Sequence, residues 1–517
     1  MNTASARLEL AEPHLREVLA SAGLDVEYVR SEGNTLYRLD DRGREIPVAD
    51  FAGGYGSVLL GHNNPEIVAH AKSLLDAGTP IHAQFSRHPY ANDVARALNT
   101  IVQRELGDDE PYFAIFANSG AEAVEAAVKH AELDRGMRLA EIRAEVAAHV
   151  EGARAAVRSG AAVLPGAGAG GFEQLAAEIE GKNAEQFSRP PLFLAPEGSF
   201  HGKLVGSVQL THNEGYRAPF RSLAAQARFV PCDQPGELKR IVDEERAVLF
   251  DLHVVDGAVR VVERSMPLFC AFVLEPIQGE GGIKVLTREF AQEIQAVCAE
   301  IDCPIVVDEI QSGMGRSGAF LASSFIGLRG DYYTLAKSLG GGIAKTAVML
   351  VRQARYRREF EIVHSSTFAK DSFSSLIALK VLDMLEADGG RVYRLAAERG
   401  ERLAATLESV RAEFPTVVKE VRGRGLMLGL EFRDQSDAES PVIREIARGG
   451  FFGYVVAGFL LREHHVRTFP TASAVTTLRF EPSVELSDAE IDRLGAALRE
   501  VCTLLRDQDG ARLAPPA

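Results

Sequence analysis

A lysine stands directly before a run of glycines in the stretch YTLAKSLGGGIAK, where Lys337 precedes Gly340, Gly341 and Gly342. Such a lysine can be a solvated surface charge, a phosphate-binding group, or a nucleophile that forms a Schiff base. The P-loop pattern places its lysine after the glycines, so a nucleotide site is disfavoured. The apolar run before Lys337 predicts low-dielectric surroundings, which lower the pKa of a lysine and favour the neutral amine that a Schiff base requires.

A carboxylate ends another apolar run, CPIVVDEIQSGMGRSG, in which Asp308 is followed by Ile310 and Gln311. An acid in this place can simply cap the next turn. Alternatively, it can hold a protonated heterocyclic nitrogen while Ile310 covers the face of the ring. The residues of this stretch leave both interpretations open.

A predicted helix start lies in IFANSGAEAVEAAVKHA, where Ser119 and Glu122 have the spacing of a capping box. This stretch can be no more than a well-capped helix. However, Gly120 removes a side chain where the free N–H groups of the helix start point outward, so a phosphate could approach the backbone. Lys337, Asp308 and the turn Ser119–Gly120–Ala121 together match the needs of pyridoxal phosphate: a Schiff-base lysine, an acid for the ring nitrogen and a phosphate site.

Short apolar runs that alternate with stretches of helical period must position these residues. The runs include YFAIFA, FCAFVLEP, CPIVVDE and YYTLA. This alternation predicts an α/β fold with a mostly parallel sheet covered on both faces, in which ligands bind beyond the carboxyl ends of the strands.

The chain length predicts more than one domain. We expect an N-terminal segment, 1–85, that contributes to a small domain, a large domain over 86–375, and a C-terminal small domain over 376–517. Residues 133–190 read as an inserted helical pair joined by the small-residue link GAAVLPGAGAGG. A second lengthened connection is ERAVLFDLHVVDGAVRVVERSMP. These segments could form a lid, enlarge a dimer interface, recognise a bulky or carrier-bound substrate, or decorate the surface without a catalytic role.

The composition points to a small-molecule function. A formal net charge of -15 over 517 residues argues against nucleic acid or an anionic membrane as the main partner. The five cysteines form no C-x-x-C pair, which fits a reducing cytoplasm. The N-terminus lacks the pattern of a secretory signal, and no apolar run is long enough to span a bilayer. We therefore expect a cytoplasmic protein without membrane contact.

Six motifs in order give the sequence its family resemblance. They are NSGAEAVEAA, GSFHGK, EPIQGEGG, DEIQSGMGRSG, LAKSLGGG and HSSTF. In this combination the chain resembles the class III pyridoxal-phosphate aminotransferases of fold type I, the ornithine, acetylornithine and 4-aminobutyrate type. The resemblance covers most of the chain and implies a large domain with a seven-stranded-type, mostly parallel sheet and a smaller α+β domain.

The resemblance implies roles for the residues that would bind the cofactor. Lys337 would form the Schiff base and shuttle a proton, and Asp308 would keep the pyridine nitrogen protonated. The remaining implied cofactor contacts are the phosphate site of Ser119, Gly120 and Ala121, the ring-stacking pair Phe200 and Ile310, Gln311 at the ring hydroxyl, and Glu275 and His201 in support.

The resemblance also implies a homodimer with shared active sites and a set of substrate contacts. Thr367 in HSSTF matches a threonine that reaches the phosphate from a neighbouring subunit. Arg479 matches the arginine that binds a substrate carboxylate. Glu280 matches the glutamate that pairs with this arginine when the amine end of a substrate enters. Tyr55 resembles a substrate-contacting tyrosine, although it could equally be a packed loop aromatic. Lys203 stands where many relatives have arginine. A lysine ammonium contacts a distal substrate carboxylate as a point charge, which is weaker than the bidentate contact that an arginine makes.

Three functions remain in competition at this point. The leading hypothesis is an aminotransferase that moves an amino group between an amine or amino acid, including a terminal amine, and a 2-oxo acid or aldehyde. The second is another pyridoxal-phosphate enzyme of the same fold, such as a racemase or epimerase, a decarboxylase, or a carbon–carbon bond-forming enzyme. The third, a non-catalytic binding protein, is disfavoured by the presence of Lys337, Asp308 and Gln311. The identity of donor and acceptor does not follow from the sequence.

Overall fold

The computed structural model describes residues 10–83, 86–87, 89–166 and 171–515. The strands of this part, in chain order, are β1 (Arg30–Glu32), β2 (Thr35–Leu39), β3 (Glu45–Asp50), β4 (Tyr112–Ala117), β5 (Leu192–Pro196), β6 (Ala227–Val230), β7 (Val248–Val255), β8 (Ala258–Ser265), β9 (Phe269–Leu274), β10 (Ile277–Gln278), β11 (Lys284–Val285), β12 (Ile305–Asp308), β13 (Tyr332–Leu335), β14 (Ala347–Arg352), β15 (Val418–Arg424), β16 (Met427–Phe432), β17 (Val466–Arg467), β18 (Phe469–Pro470) and β19 (Thr477–Phe480).

The α-helices of the same part, in chain order, are α1 (Pro13–Ser21), α2 (Gly53–Gly56), α3 (Pro65–Asp76), α4 (Pro89–Leu106), α5 (Gly120–Arg158), α6 (Gly171–Phe187), α7 (Glu214–Arg217), α8 (Glu237–Glu245), α9 (Arg288–Glu300), α10 (Ser323–Ile326), α11 (Phe360–Val363), α12 (Ser372–Glu413), α13 (Pro441–Arg448), α14 (Phe452–His464), α15 (Asp488–Arg506) and α16 (Gly510–Leu513). Helix α12 loses helical geometry between Ala387 and Gly390. None of the helices in the described residues has the length and apolar character needed to cross a bilayer.

A seven-stranded sheet forms the centre of the molecule, with the order β4-β14-β13-β12-β9-β5-β6. The pairs β12–β13, β12–β9, β9–β5 and β5–β6 are parallel, and β14 is antiparallel to both of its neighbours. Strands β9, β12 and β13 are buried along their whole length, which explains their apolar sequences. The predicted mostly parallel sheet is confirmed, with β14 as its reversed strand.

Two four-stranded sheets lie outside the central one. Strands β1, β2 and β3 join β17, so the N-terminal segment shares a sheet with the C-terminal part of the chain. Strands β15, β16, β19 and β18 form the second sheet. Helix α15 begins at the capping box of Ser487 and Glu490. Strand pairing thus joins the two ends of the chain in one sheet.

The two segments that lengthen the chain pack against each other. Helix α5 continues to Arg158, α6 follows, and β7 and β8 form a hairpin whose strands pair from Val248–Ser265 to Val255–Ala258. A buried cluster joins the helices to the hairpin through Val150, Ala153, Phe172, Ala176, Ile179, Leu252 and Val259. The segment predicted as a helical pair contains the second part of α5 and all of α6, and the link predicted between the helices falls partly outside the described residues. We call residues 133–190 and 246–267 together the appendage.

Candidate active site

A cavity of about 420 Å³ lies at the carboxyl edge of the central sheet. Its walls come from the ends of five strands, because the segments after β4, β5, β9, β12 and β13 all meet there. The predicted site residues that line it are Ser119, Gly120, Ala121, Phe200, His201, Glu275, Glu280, Asp308, Ile310, Gln311 and Lys337. Parallel strands therefore bring together residues that are up to about two hundred positions apart in the sequence.

Lys337 is held in an uncommon backbone conformation just after strand β13. Its φ of 46° lies in the left-handed region, where a residue with a side chain costs on the order of 1–3 kcal/mol. Gly341 follows with a φ of 59°, and a Cβ there would lie 2.8 Å from Ile67, so this turn requires glycine. The glycines thus turn the backbone beside the cavity, as expected from their place after the lysine.

The amine of Lys337 has a lowered pKa. Burial is the main cause, and the charge of Arg479 lowers the pKa further, while the carboxylates of Glu481, Glu280 and Asp308 oppose the shift. A lysine with a lowered pKa more readily supplies the neutral amine that nucleophilic chemistry needs.

Asp308 ends strand β12 and is buried, with 5% of its surface exposed. Its Oδ2 lies 2.8 Å from Nδ1 of His201, and its Oδ1 accepts hydrogen bonds from the Thr334 hydroxyl at 3.1 Å and the Ile310 N–H at 3.1 Å. Burial alone would lower the pKa of His201, but the hydrogen bond and charge of Asp308 outweigh it, and the pKa is raised. His201 therefore orients and stabilises the Asp308 carboxylate.

Glu275 occupies the neighbouring position, just after strand β9. Its carboxylate accepts hydrogen bonds from the N–H groups of Phe200 at 2.8 Å and Gly279 at 2.9 Å. Burial raises the pKa of Glu275 to about 7, with the charge of Asp308 adding to the rise and that of His201 opposing it. The carboxyl group thus fixes two loops of the cavity wall.

The start of helix α5 forms an open cradle in the cavity. Ser119 caps the helix in an extended conformation, accepting the N–H of Glu122 at 3.3 Å, and the Glu122 carboxylate accepts the N–H of Ser119 at 3.2 Å. A Cβ at Gly120 would lie 2.9 Å from Ile310, so any other residue would fill this space. The N–H groups and the positive end of the helix dipole suit a phosphate.

Phe200 and Ile310, the predicted ring-stacking pair, both line the same cavity. Gln311 donates a hydrogen bond to Glu481 at 2.7 Å, and a Cβ at Gly279 would lie 2.0 Å from the Gln311 side chain. A lysine with a lowered pKa, a buried carboxylate and an open helix start in one cavity fit pyridoxal phosphate. The residues present therefore satisfy the requirements of that cofactor.

A buried ion pair closes the other end of the cavity. Arg479 contacts Glu280, whose carboxylate also accepts the N–H of Ala472 at 2.7 Å. The charge of Arg479 outweighs burial and lowers the pKa of Glu280. The guanidinium carbon of Arg479 lies 4.8 Å from the centre of the Tyr55 ring, and its Nε and Nη1 have no hydrogen-bond partner among the described residues. Arg479 thus retains capacity to bind another acceptor.

Four predicted site residues do not line the cavity. Arg479 pairs with Glu280 but is not itself a lining residue, and Tyr55 is 41% exposed and stacks on Phe469. The Lys203 ammonium lies exposed over the Tyr216 ring, 4.1 Å from its centre. Thr367 is also exposed and does not line the cavity formed by the described residues.

Several residues near this site were not among those predicted from the sequence. Lys345 and Thr346 line the cavity just after the glycine turn. Tyr454 belongs to the buried helix α14, whose stretch FGYVVAGFLL reads as core. Burial and the charge of Glu280 raise the pKa of Tyr454, and the charge of Arg479 opposes the rise. The position of Lys345 just after the glycines could have predicted that it lies near the cavity. No feature of the sequence predicts a place for Tyr454 at this site.

Comparisons with known proteins agree with the fold. The family model "Aminotransferase class-III" matches residues 19–497. A putrescine aminotransferase from Pectobacterium atrosepticum is 27% identical over 487 residues, covering 94% of this chain and 83% of that protein. The aminotransferase PigE from a Serratia species is also 27% identical, over 96% of this chain, which spans 52% of PigE.

Solved structures show the same fold. The ornithine aminotransferase of Toxoplasma gondii matches with a TM-score of 0.67 and 20% identity, over 94% of this chain and 92% of that one. An omega transaminase from Pseudomonas jessenii, in complex with PMP, matches with a TM-score of 0.69 and 20% identity, over 98% and 96% of the two chains.

Proposed function

The chain belongs to the class III, pyridoxal-phosphate-dependent aminotransferases of fold type I, and on that premise we propose that it transfers a terminal amino group from an amine or amino acid to a 2-oxo acid or aldehyde. The observation that carries this proposal is the single cavity that holds Lys337, Asp308 and the open start of helix α5. Family membership favours transamination over racemisation, decarboxylation or carbon–carbon bond formation.

We assign the cofactor-binding roles as follows. Lys337 would hold pyridoxal phosphate through Nζ, Asp308 would face the ring nitrogen, and Ser119, Gly120 and Ala121 would bind the phosphate. Phe200 and Ile310 would cover the ring faces, Gln311 would face the ring hydroxyl, and Glu275 and His201 would support these groups. When bound, the cofactor supplies a protonated ring that withdraws electrons from the substrate carbon bearing the amino group.

The proton transfers fall to Lys337. Because its pKa is lowered, Nζ can accept a proton from the substrate carbon that bears the amino group and then donate that proton to the cofactor. Asp308 would keep a proton on the ring nitrogen, because its buried carboxylate is fixed by His201, Thr334 and the Ile310 N–H. The apolar and aromatic walls exclude water and keep these charges effective.

The substrate end can serve an amine and a carboxylate in turn. With the Glu280–Arg479 pair closed, Arg479 is neutralised, and a substrate with a terminal amine meets aromatic rings and a carboxylate. If Glu280 moves away, Arg479 can bind the carboxylate of a 2-oxo acid bidentately. A relative named putrescine aminotransferase supports α,ω-diamines as the first donors to test. Lys203 and Tyr55 would act at the cavity entrance, outside the lining itself.

We further propose a homodimer, a division into domains at 1–85, 86–375 and 376–517, and a cytoplasmic location. Thr367, exposed in the single chain, would reach the phosphate of the partner's site. The pairing of β17 with β3 supports a small domain shared by both ends of the chain. The five cysteines are free thiols, which suits a reducing compartment.

The dimer proposal has a direct test. Subunits carrying Lys337→Ala and subunits carrying Thr367→Asp would be unfolded, mixed and refolded together. If Thr367 serves the partner's site, mixed dimers contain one intact site and regain activity that neither variant has alone. Mixtures that stay as inactive as the separate variants would contradict the shared site.

The transamination proposal is tested by a single-turnover donor screen. Holoenzyme is mixed with α,ω-diamines, monoamines or ω-amino acids without acceptor, and the bound cofactor is then extracted and separated by chromatography. We expect stoichiometric conversion of pyridoxal phosphate to pyridoxamine phosphate with at least one amine. Release of carbon dioxide or racemised substrate with unchanged cofactor would instead support a non-transaminating enzyme.

A further inference from the structure

The two segments of the appendage meet at a cluster of two histidines and an aspartate. Nδ1 of His149, on helix α5, lies 2.9 Å from Oδ2 of Asp251 on strand β7. Nε2 of His253, on the same strand, lies 3.2 Å from that oxygen. The two imidazole rings have centres 4.6 Å apart. Three nitrogen or oxygen atoms from separate side chains therefore converge within 4.8 Å of one another.

Local structure accounts for this convergence. Asp251 and His253 are two residues apart on a strand, so their side chains point to the same face of the hairpin. Helix α5 packs on this hairpin through Val150 and Ala153, which places His149 beside the strand. The cluster thus forms only because two separate insertions into the chain pack against each other.

Burial makes the cluster a half-open site. The side chain of Asp251 is 2% exposed, whereas those of His149 and His253 are each 42% exposed. The other oxygen of Asp251 accepts the N–H of Leu252 at 2.8 Å, which orients the carboxylate. A solvent molecule or ion can therefore approach from the histidine side, while the carboxylate is fixed at the base.

The donor set and spacing suit a transition-metal ion. Imidazole nitrogen and carboxylate oxygen bind Zn²⁺ at about 2.0–2.2 Å, so adjacent ligand atoms of a tetrahedral site lie about 3.3 Å apart. The separations of 2.9 and 3.2 Å approach this value. We propose that His149, Asp251 and His253 bind a divalent transition-metal ion of the Zn²⁺ type, with solvent completing its coordination.

The neighbouring charges leave the site accessible to a cation. Arg264 lies on the same hairpin and is paired with Glu145 at 2.6 Å. Arg260 stands opposite His253 across the β7–β8 ladder and is exposed, so water screens its charge. The buried Asp251 carboxylate supplies the negative charge at the centre of the cluster.

The ion would join helix α5 to the β7–β8 hairpin and so stabilise the appendage. None of its three ligands lines the cofactor cavity. We therefore assign it a structural role: metal binding slows local opening of the appendage and leaves the chemistry of amino transfer unchanged. This distinguishes the proposal from the aminotransferase activity, since either can fail without the other.

The test is a titration of untagged holoenzyme, freed of metal by a chelator that is then removed. Zn²⁺ binding is followed by calorimetry, and Co²⁺ binding by its visible absorption bands. We expect one ion per chain, lost or weakened more than about 100-fold in His149→Ala and in His253→Ala, because even changes beyond the ligands weaken metal binding about 10- to 100-fold. His70→Ala, on helix α3, is the matched control and should bind as the wild type does.

Protection from proteolysis gives a second readout. Saturating Zn²⁺ should slow cleavage within the appendage in the wild type and in His70→Ala, and have no such effect in His149→Ala. Asp251→Asn alters a buried group and could fail to fold, so the half-exposed histidines carry the test. Absence of Zn²⁺ and Co²⁺ binding, or binding that is unchanged in both histidine variants, would overturn the proposal.

Discussion

At the cofactor end of the cavity, Asp308 is the last residue of a buried strand, and Glu275 and Lys337 follow within two residues of their strands. At the substrate end, Glu280 follows a loop, Arg479 lies within the second small sheet, and Tyr454 lies on a buried helix. The first end is fixed by ladder hydrogen bonds of one sheet. The second depends on the packing of three separate parts of the chain, so its geometry can change without disturbing the cofactor.

Hydrogen-bond satisfaction differs between the two ends in degree: at the cofactor end, one buried atom, Nε2 of His201, lacks a hydrogen-bond partner among the described residues. The Asp308 carboxylate has three partners. Arg479 leaves two buried nitrogens, and Glu481 one buried oxygen, without a hydrogen-bond partner among the described residues. A buried polar atom without a partner costs about 1–3 kcal/mol. The cofactor end is therefore preorganised, whereas the substrate end retains binding capacity for a ligand, which is where selectivity among donors should reside.

Removal of the Lys337 amine should have the largest effect. In Lys337→Ala we expect the single-turnover rate with the best donor to fall by at least about 10³-fold, since the general base is lost. Lys380→Ala, which removes a surface ion pair with Glu66, should react at the wild-type rate. Rapid quench followed by chromatography of the cofactor measures both. A rate in Lys337→Ala within tenfold of the wild-type rate would contradict the assignment of the essential proton transfers to the cofactor end of the cavity.

Neutralising Asp308 should give the next largest loss. Asp308→Asn keeps the shape but removes the charge that stabilises a proton on the ring nitrogen, so we expect the single-turnover rate to fall about 10²-fold or more. The exposed Asp383→Asn serves as the control. Because Asp308 raises the pKa of His201, NMR titration of the variant should show a lower His201 pKa than the wild type. An unchanged His201 titration would contradict the assigned contact.

A smaller effect, on selectivity, is expected at the substrate end. Glu280→Gln removes the closer of the two carboxylates beside Arg479 and leaves Glu481, 3.8 Å from Nη1, so carboxylate-bearing donors should gain over diamines. We expect the ratio of kcat/KM for an ω-amino acid to that for an α,ω-diamine to rise about 10- to 100-fold, the effect of one charge-assisted contact of about 1.5–3 kcal/mol. Tyr454→Phe keeps the ring and should change this ratio little. If Glu280→Gln lowered kcat/KM equally for both donors, Glu280 would act at the cofactor end instead.

The smallest expected effect is a pH dependence of stability from Glu275. Its pKa is about 7 in the folded chain, above the ordinary 4.5, because burial disfavours the charged form. The folded state therefore binds the proton more tightly, and this contribution is present below pH 4.5 and lost as the pH rises through about 7. In cofactor-free protein, the Tm of the wild type relative to Glu275→Gln should fall by a few degrees between pH 5 and pH 8.

The exposed Glu180→Gln is the control for that pH series. Its Tm relative to the wild type should stay constant across the same pH range. A constant difference for Glu275→Gln as well would show that this carboxyl group does not titrate differently in the folded chain.

The same contrast explains what the sequence could predict. Asp308 and Lys337 end short apolar runs, and parallel strands bring such ends to one edge of the sheet, so this end of the site could be predicted. The turn at Ser119 and Gly120 carries a local signature, the capping box, so it could be predicted from the sequence as well. Tyr454 carries no local signature, because its position depends on how helix α14 packs against strands β18 and β19.

The appendage shows the same limit at the level of the fold. Helical spacing predicted α5 and α6, and the lengthened connection before strand β9 was recognised as an insertion. That the connection forms a hairpin on those helices depends on burial shared by Phe172, Leu252 and Val259, which are far apart in the sequence. Contacts of this kind follow from tertiary packing, so the His149–Asp251–His253 cluster could not be seen before the structure.

The central claim is that this cavity binds pyridoxal phosphate covalently through Lys337. Borohydride reduction of the holoenzyme, followed by proteolysis and mass spectrometry of the peptides, tests it most directly, because Lys345 lines the same cavity and offers a competing amine. We predict the phosphopyridoxyl mass on Lys337, near one per chain, and none on Lys345. The modification on Lys345, on any other lysine, or on no lysine at all would contradict the assignment.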